Sequence, residues 1–361
     1  MERFGFVGLP NAGKSSLFNA LSGGDALAAA YPFATVEPNV GVARVPDERL
    51  DRLAAMSSSA RTVHATVEFV DIGGLVEGAS KGEGLGNRFL AGIREVDAVV
   101  LVLRAFRDDD VVGPAEPLEH LAVVETELAL ADLATVEARV ERTRKAARAD
   151  RSLAPQVDAL DASLTVLAEG TPLYRSHLGA DQREALRPFF LLTNKPVLVV
   201  VNIGEDDVEK AELLAAPVAE AFAGATSPVE VVPVSVQLEA ETSQLAAEER
   251  AELLEGLGLG EGALPRLVRT AYSLLGRRTF LTTGDKESRA WTFQAGARAP
   301  ECAGVIHTDF QRGFIKAECI RWDELLGFGS WARAKDAGKV RIEGKDYEVL
   351  DGDVLEFRFN V

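Results

Sequence analysis

Cysteine is nearly missing from this chain, with only Cys302 and Cys319 among 361 residues. Two thiols cannot build a disulfide framework, and these two lack metal-site spacing, so they read as buried or idle. The four histidines, His64, His120, His177 and His307, are scattered without ligand spacing. No apolar run approaches the ~18 to 20 residues that a membrane span needs. The chain enters a strand-like segment at once, with no signal-peptide profile, so a cytoplasmic location is expected. Basic residues are also in deficit: 39 Lys and Arg stand against 56 Asp and Glu, a net charge of −17 that argues against indiscriminate nucleic-acid binding. The deficit is uneven. From residue 276 onward five Lys and nine Arg balance seven Asp and seven Glu, so the excess acid lies upstream and the C-terminal part is electrostatically free to approach RNA.

What is present begins at residue 8. The run Gly8-Leu9-Pro10-Asn11-Ala12-Gly13-Lys14-Ser15-Ser16 fits the phosphate-binding pattern G-x-x-x-x-G-K-[ST]. It follows the apolar strand-like run 3–7 and precedes a helix-like segment, which is the context the pattern requires. Glycines let backbone N–H groups turn toward phosphate oxygens, and the start of the helix adds its positive dipole end. Asn11, Ala12, Gly13, Lys14, Ser15 and Ser16 are therefore expected to cradle a nucleotide. Lys14 should reach the β- and γ-phosphates, and the Ser15 hydroxyl should sit on Mg2+.

Beyond the loop, strand-like runs at 40–45, 63–71, 98–103, 197–202 and 230–234 alternate with helical or loop segments. Several are continuously apolar, which predicts an α/β fold with a doubly wound, mostly parallel sheet covered on both faces. Ligands in such sheets sit at the carboxyl ends of the strands. After the run ending at Val70 comes Asp71-Ile72-Gly73-Gly74, in which Asp71 can hold Mg2+ through water and Gly74 can offer a backbone N–H to a γ-phosphate. The irregular stretch 31–39 contains Thr35, a second hydroxyl for the metal. Leu75 occupies the place where many GTPases carry the glutamine that orients the attacking water, so either hydrolysis is slow and assisted by a partner, or backbone groups and a metal ion hold the water. The glycine-rich segment 76–87 reads as either a flexible surface loop or a switch.

Base recognition is read at the loop after the 197–202 strand. Thr193-Asn194-Lys195 resembles the start of a guanine-reading Asn-Lys-x-Asp run but precedes that strand, which makes it a decoy. The loop itself, Asn202-Ile203-Gly204-Glu205, has the asparagine without the Lys or the Asp. An amide can accept from the adenine amino group and donate to a ring nitrogen, so adenine is the expected base. Ser235 and Val236, after the next strand, are placed to close the pocket with backbone groups.

Taken together the motifs resemble the YchF family, the Obg-like ATPases. The likeness runs through 8–16, 31–39, 71–75, 82–87 and 202–205. It continues in Arg289-Ala290-Trp291-Thr292, His307-Thr308-Asp309-Phe310 and Gly344-Lys345-Asp346-Tyr347, and in the ending from Asp351 to Val361. The resemblance implies an OBG-type G domain over 1–275, interrupted by a helical coiled-coil insertion at about 119–190, and a ubiquitin-like, β-grasp TGS domain over 277–361. It implies ATP hydrolysis in preference to GTP, a need for Mg2+, and association with ribosomes. Lys14, Thr35 and Gly74 would carry the chemistry. Asn11 sits where a group of potassium-activated P-loop proteins holds K+. An Obg-type GTPase, or a ribosome-binding adaptor that binds ATP without turning it over, is the alternative.

The residues support this layout independently. Segment 121–149 lacks Gly and Pro and repeats apolar residues at helical spacing, and 157–167 offers a matching stripe, which predicts a helical hairpin. Arg139, Arg142, Lys145 and Arg148 are expected on one face of it, as an RNA contact or an ordinary solvated surface. The alternating run 341–349, the Asp351-Gly352 turn and 354–359 predict a terminal β-hairpin. One departure stands out: the family usually carries a histidine in the loop after Asp108-Asp109-Asp110, whereas 111–117 has none and His120 does not fit the position.

Overall fold

The computed structural model describes residues 2–23, 39–72, 85–108 and 115–360. Twelve strands are present among these residues. They are β1 (Arg3–Val7), β2 (Val40–Arg44), β3 (Thr62–Val63), β4 (Thr66–Asp71), β5 (Ala98–Arg104), β6 (Val197–Asn202), β7 (Val229–Val234), β8 (Arg277–Thr282), β9 (Ser288–Gln294), β10 (Phe314–Arg321), β11 (Arg341–Glu343) and β12 (Asp353–Phe359). The first five helices are α1 (Lys14–Gly23), α2 (Glu48–Ser57), α3 (Leu85–Glu95), α4 (Pro117–Ala147) and α5 (Ala154–Ala168). The chain divides into two compact units, one formed by Met1–Ala43 and Glu68–Leu274, the other by Arg44–Val67 and Leu275–Val361.

The first unit is built on a sheet of order β2-β4-β1-β5-β6-β7. Strands β4, β1, β5, β6 and β7 run parallel. Every residue of β5 and β6 is buried, as expected of apolar strands covered on both faces. The register aligns the carboxyl ends, pairing Phe6 with Asp71, Val7 with Leu101, and Asn202 with both Arg104 and Val234. Residues after those ends therefore converge on one edge of the sheet. Leu121, Val124 and Leu128 of α4 pack into the sheet core with Leu101, Leu103, Val199 and Val201. Farther along, Val136 and Val140 pack against Leu160 and Leu167 of α5, forming the expected helical hairpin with its own small core.

The second unit carries the sheet β11-β10-β12-β8-β9-β3. The antiparallel pair β8–β9, the helix Ala299–Ile306 packed on the sheet, and β12 lying parallel to β8 give a β-grasp arrangement. Its core holds Phe280, Phe293, Cys302, Cys319 and Leu355. Burial pushes both thiols up to about 12, so neither is a ready nucleophile.

Three expectations about this architecture change. The run 63–71 is two strands: β4 joins the first sheet, whereas β3 pairs with β9 at the edge of the second, Thr62 beside Ser288. The boundary near 275 is accordingly incomplete, because Arg44–Val67 belongs to the second unit. There Arg49 bridges Asp47 and Asp351, and Ser59 bonds to Gly284 O and Ser288. The terminal hairpin is also absent. Strand β12 is flanked by β10 and β8, and β11 lies on the far side of β10, since alternation marks a strand without naming its neighbour.

Candidate nucleotide site

The phosphate loop joins β1 to α1 at the carboxyl edge of the first sheet. Its conformation needs its glycines. Gly13 has φ 97°, and a Cβ there would collide with the Asn202 amide; a Cβ on Gly8 would lie 2.5 Å from Val102 O. Asn11 also takes a left-handed φ, 61°, which short polar side chains tolerate. Lys14 begins α1, is only 6% exposed, and donates from Nζ to Leu9 O at 2.7 Å. Burial pulls its pKa below the usual lysine value, and Asp71 partly offsets this. An ammonium held in that way is stabilised by any further anion brought to the loop. Ser15 Oγ donates to Asp71 Oδ2 at 2.9 Å, so the two residues read as magnesium partners come together from separate elements. Thr35, Gly74 and Leu75, and the residues 109–114 of the loop without histidine, lie outside the described residues. His120 is buried in α4.

Asn202 ends β6 and is 4% exposed. Its Nδ2 donates to Ala12 O at 3.0 Å, and its Oδ1 accepts from Val236 N at 3.2 Å. Its own carbonyl accepts from Ala105 N at 2.8 Å and Phe106 N at 3.1 Å. The expected adenine-reading amide is thus engaged with backbone, and it ties three loops at the sheet edge. The Val236 N–H is spent on the same tie. Ile203, 3% exposed, donates its N–H to Val234 O at 3.0 Å. Ser235 Oγ is buried without a hydrogen-bond partner among the described residues and lines a separate cavity of 430 Å³ with Glu239 and Arg266. Asn194 and Lys195 precede β6; Asn194 bonds Arg183 O and Lys195 bonds Arg94 O, consistent with a structural run.

A cavity of 1120 Å³ opens over these residues, lined by Asn11, Gly13 and Ser16 of the phosphate loop and by Phe106, Asn202 and Glu205. Two contributors, Arg104 and Phe106, escaped the sequence reading. Arg104, 2% exposed at the end of β5, donates from Nε to Phe106 O at 3.1 Å and from Nη2 to Asp108 O at 3.3 Å, and its guanidinium lies 4.7 Å from the Phe106 ring centre. It fixes the wall that carries Phe106. The available signal was an arginine closing an otherwise apolar strand, at the edge where ligands bind.

Comparison with known proteins agrees with this geometry. A family model for 50S ribosome-binding GTPases matches residues 3–122, and the YchF-GTPase_C model, described as a protein of unknown function, matches 278–360. The chain is similar to the ribosome-binding ATPase YchF of Bacillus subtilis (strain 168), 45% identical over 99% of each chain. It is also similar to that of Haemophilus influenzae, at 46% over 99% of each. The solved structure of the Schizosaccharomyces pombe YchF GTPase superposes with a TM-score of 0.87 at 31% identity, covering 99% of this chain and 97% of that one. With its phosphate loop, its β-grasp unit and these full-length matches, the chain belongs to the YchF family of P-loop proteins.

Proposed function

We propose that this protein is a magnesium-dependent ATPase that hydrolyses ATP in preference to GTP, slowly when alone, and acts in the cytoplasm as a ribosome-associated nucleotide switch in translation or stress response. The contact between Ser15 and Asp71 beside Lys14 carries the reading, because it brings two hard oxygen ligands and one buried cation to a single phosphate loop. That donor set fits Mg2+, with Thr35 as a further hydroxyl, and the bound ion would neutralise charge on the β- and γ-phosphates. Lys14 supplies fixed positive charge where charge builds up on the transferred phosphoryl group. The loop N–H groups around Gly13 and the start of α1 orient the phosphates, and Gly74 is assigned a backbone N–H toward the γ-phosphate. The ribosome enters through the relatives, which are named ribosome-binding ATPases and are matched over 99% of their length.

The preference for adenine rests on the lack of an aspartate at the fourth position of the Asn202 run, where Glu205 stands, and no longer on the Asn202 amide. Glu205 keeps a carboxylate but carries it one methylene farther along an exposed side chain, so guanine's ring N–H and amino group lose the paired geometry that an aspartate gives them, at a cost of about 1 to 2 kcal/mol. Asn11 is assigned to a monovalent cation, K+, lending positive charge during hydrolysis. Turnover measured with purified ribosomes tests the reading: wild type should hydrolyse ATP only with Mg2+, and Lys14→Ala should abolish turnover while sparing the fold. Replacing Na+ by K+ should raise the rate, and Asn11→Ala should remove that difference. An unchanged rate in Lys14→Ala would contradict the site. A wild-type rate indifferent to the cation would remove Asn11 from the mechanism.

A further inference from the structure

The helical hairpin is basic toward its tip, although the chain as a whole is acidic. Residues 133–151 hold six Arg and Lys against three Asp and Glu. Arg144 is paired with both Glu141 and Asp161. Arg139, Arg142 and Lys145 are exposed and form no ion pair among the described residues. Steps of three residues fall about 60° short of a helical turn, so the expected single face winds around α4 and carries Arg148 away to the other side. Arg139, Arg142 and Lys145 stay on the side that continues from a groove.

That groove, 680 Å³ in volume, lies between α3, α4 and the turn ending at Phe190. Its floor is apolar: Ala131, Ala134 and Ala138 of α4 face Leu90 and Ala91 of α3. Phe190 stands at its edge, 60% exposed and held at φ 52°. The Thr135 hydroxyl in the wall donates to Ala131 O at 2.9 Å and accepts from Arg94 Nη2 at 2.8 Å, so it is already engaged. Alanines one and two turns apart admit another helix closely, and cations along one rim select acidic side chains on it. A nucleobase fits less well, because specific RNA recognition uses hydrogen bonds to base edges and this floor of methyl groups offers none.

Resting on the ribosome reading above, we propose that the groove receives an amphipathic, acidic helix of a ribosomal protein. Its apolar face lies on Ala131, Ala134, Ala138 and Phe190, and its carboxylates lie along Arg139, Arg142 and Lys145. The helix would then touch α3, the element following β4, whose last residue Asp71 contacts Ser15. A partner seated there is in direct contact with an element chained to the nucleotide site.

The test uses the full chain with photoreactive p-benzoyl-phenylalanine in place of Phe190. It is bound to purified ribosomes with Mg2+ and a non-hydrolysable ATP analogue, sedimented, irradiated and mapped by mass spectrometry. The expected product is a crosslink to an acidic helical segment of a ribosomal protein, with a yield reduced roughly tenfold by Arg139→Glu combined with Arg142→Glu. A crosslink to ribosomal RNA overturns the inference, as does an undiminished yield in the charge-reversed variant. Co-sedimentation with no crosslink at this position overturns the groove assignment alone. Failure to sediment at all contradicts the ribosome reading and this inference with it.

Discussion

At the residue scale the site turns on Asn202. Its side chain and carbonyl together make four hydrogen bonds to backbone, linking the phosphate loop at Ala12, the β5 end at Ala105 and Phe106, and the β7 end at Val236. Asn202→Ala leaves Ala12 O and Val236 N to find other partners in a buried place, at a cost of about 2 kcal/mol. The expected outcome is a lower thermal midpoint and a comparable loss of affinity for ATP and GTP, read by fluorescent-nucleotide binding. Loss of ATP affinity alone would return Asn202 to the role of base reader. The position of this residue was legible, since it ends an apolar strand at the edge where ligands bind; its role was not, since a sequence does not show which backbone groups an amide will meet. The same limit hid Arg104, whose partners are carbonyls two and four residues ahead of it.

Among elements, the hairpin is attached through a buried carboxylate. Asp132 of α4, fully buried, accepts from Leu192 N at 2.8 Å, Thr193 N at 2.8 Å and Thr193 Oγ1 at 2.7 Å. Thr193 Oγ1 in turn accepts from Leu173 N at 3.1 Å, so a single carboxylate organises the return of the chain into β6. Asp132→Ala strands three buried donors and should destabilise the protein by about 3 kcal/mol in denaturant titrations. Burial raises the Asp132 pKa from 3.8 to about 6 against the pull of these hydrogen bonds. The native state therefore keeps a proton that the unfolded chain releases, and the contribution of Asp132 falls as pH rises from about 4 to 6, then levels off. The stability difference between wild type and Asp132→Asn, followed over that interval, should carry this slope; a flat difference would contradict it. The hairpin itself was legible from its apolar spacing, whereas this clamp was not, because Asp132 and Thr193 are separated by the whole insertion. Strand pairing failed for a related reason: the periodicity of 63–71 and of 341–359 identified extended chain but could not say which sheet or which neighbour would take it.

Across the whole molecule, charge and chain path are linked. Arg44–Val67 adds four Arg against two Asp and one Glu to a C-terminal part that is otherwise balanced, so the second unit is slightly basic and the first carries all the excess acid. A truncation near residue 275 would leave β3 without β9 and Arg49 without Asp351, so ribosome contacts are better mapped in the full chain. The central claim, a P-loop site that prefers ATP, is tested most directly by measuring kcat/KM for ATP and for GTP side by side, with Mg2+, K+ and saturating ribosomes. The account predicts at least roughly a tenfold preference for ATP, in line with Glu205 standing where an aspartate would pair guanine. Equal values, or a preference for GTP, would contradict it.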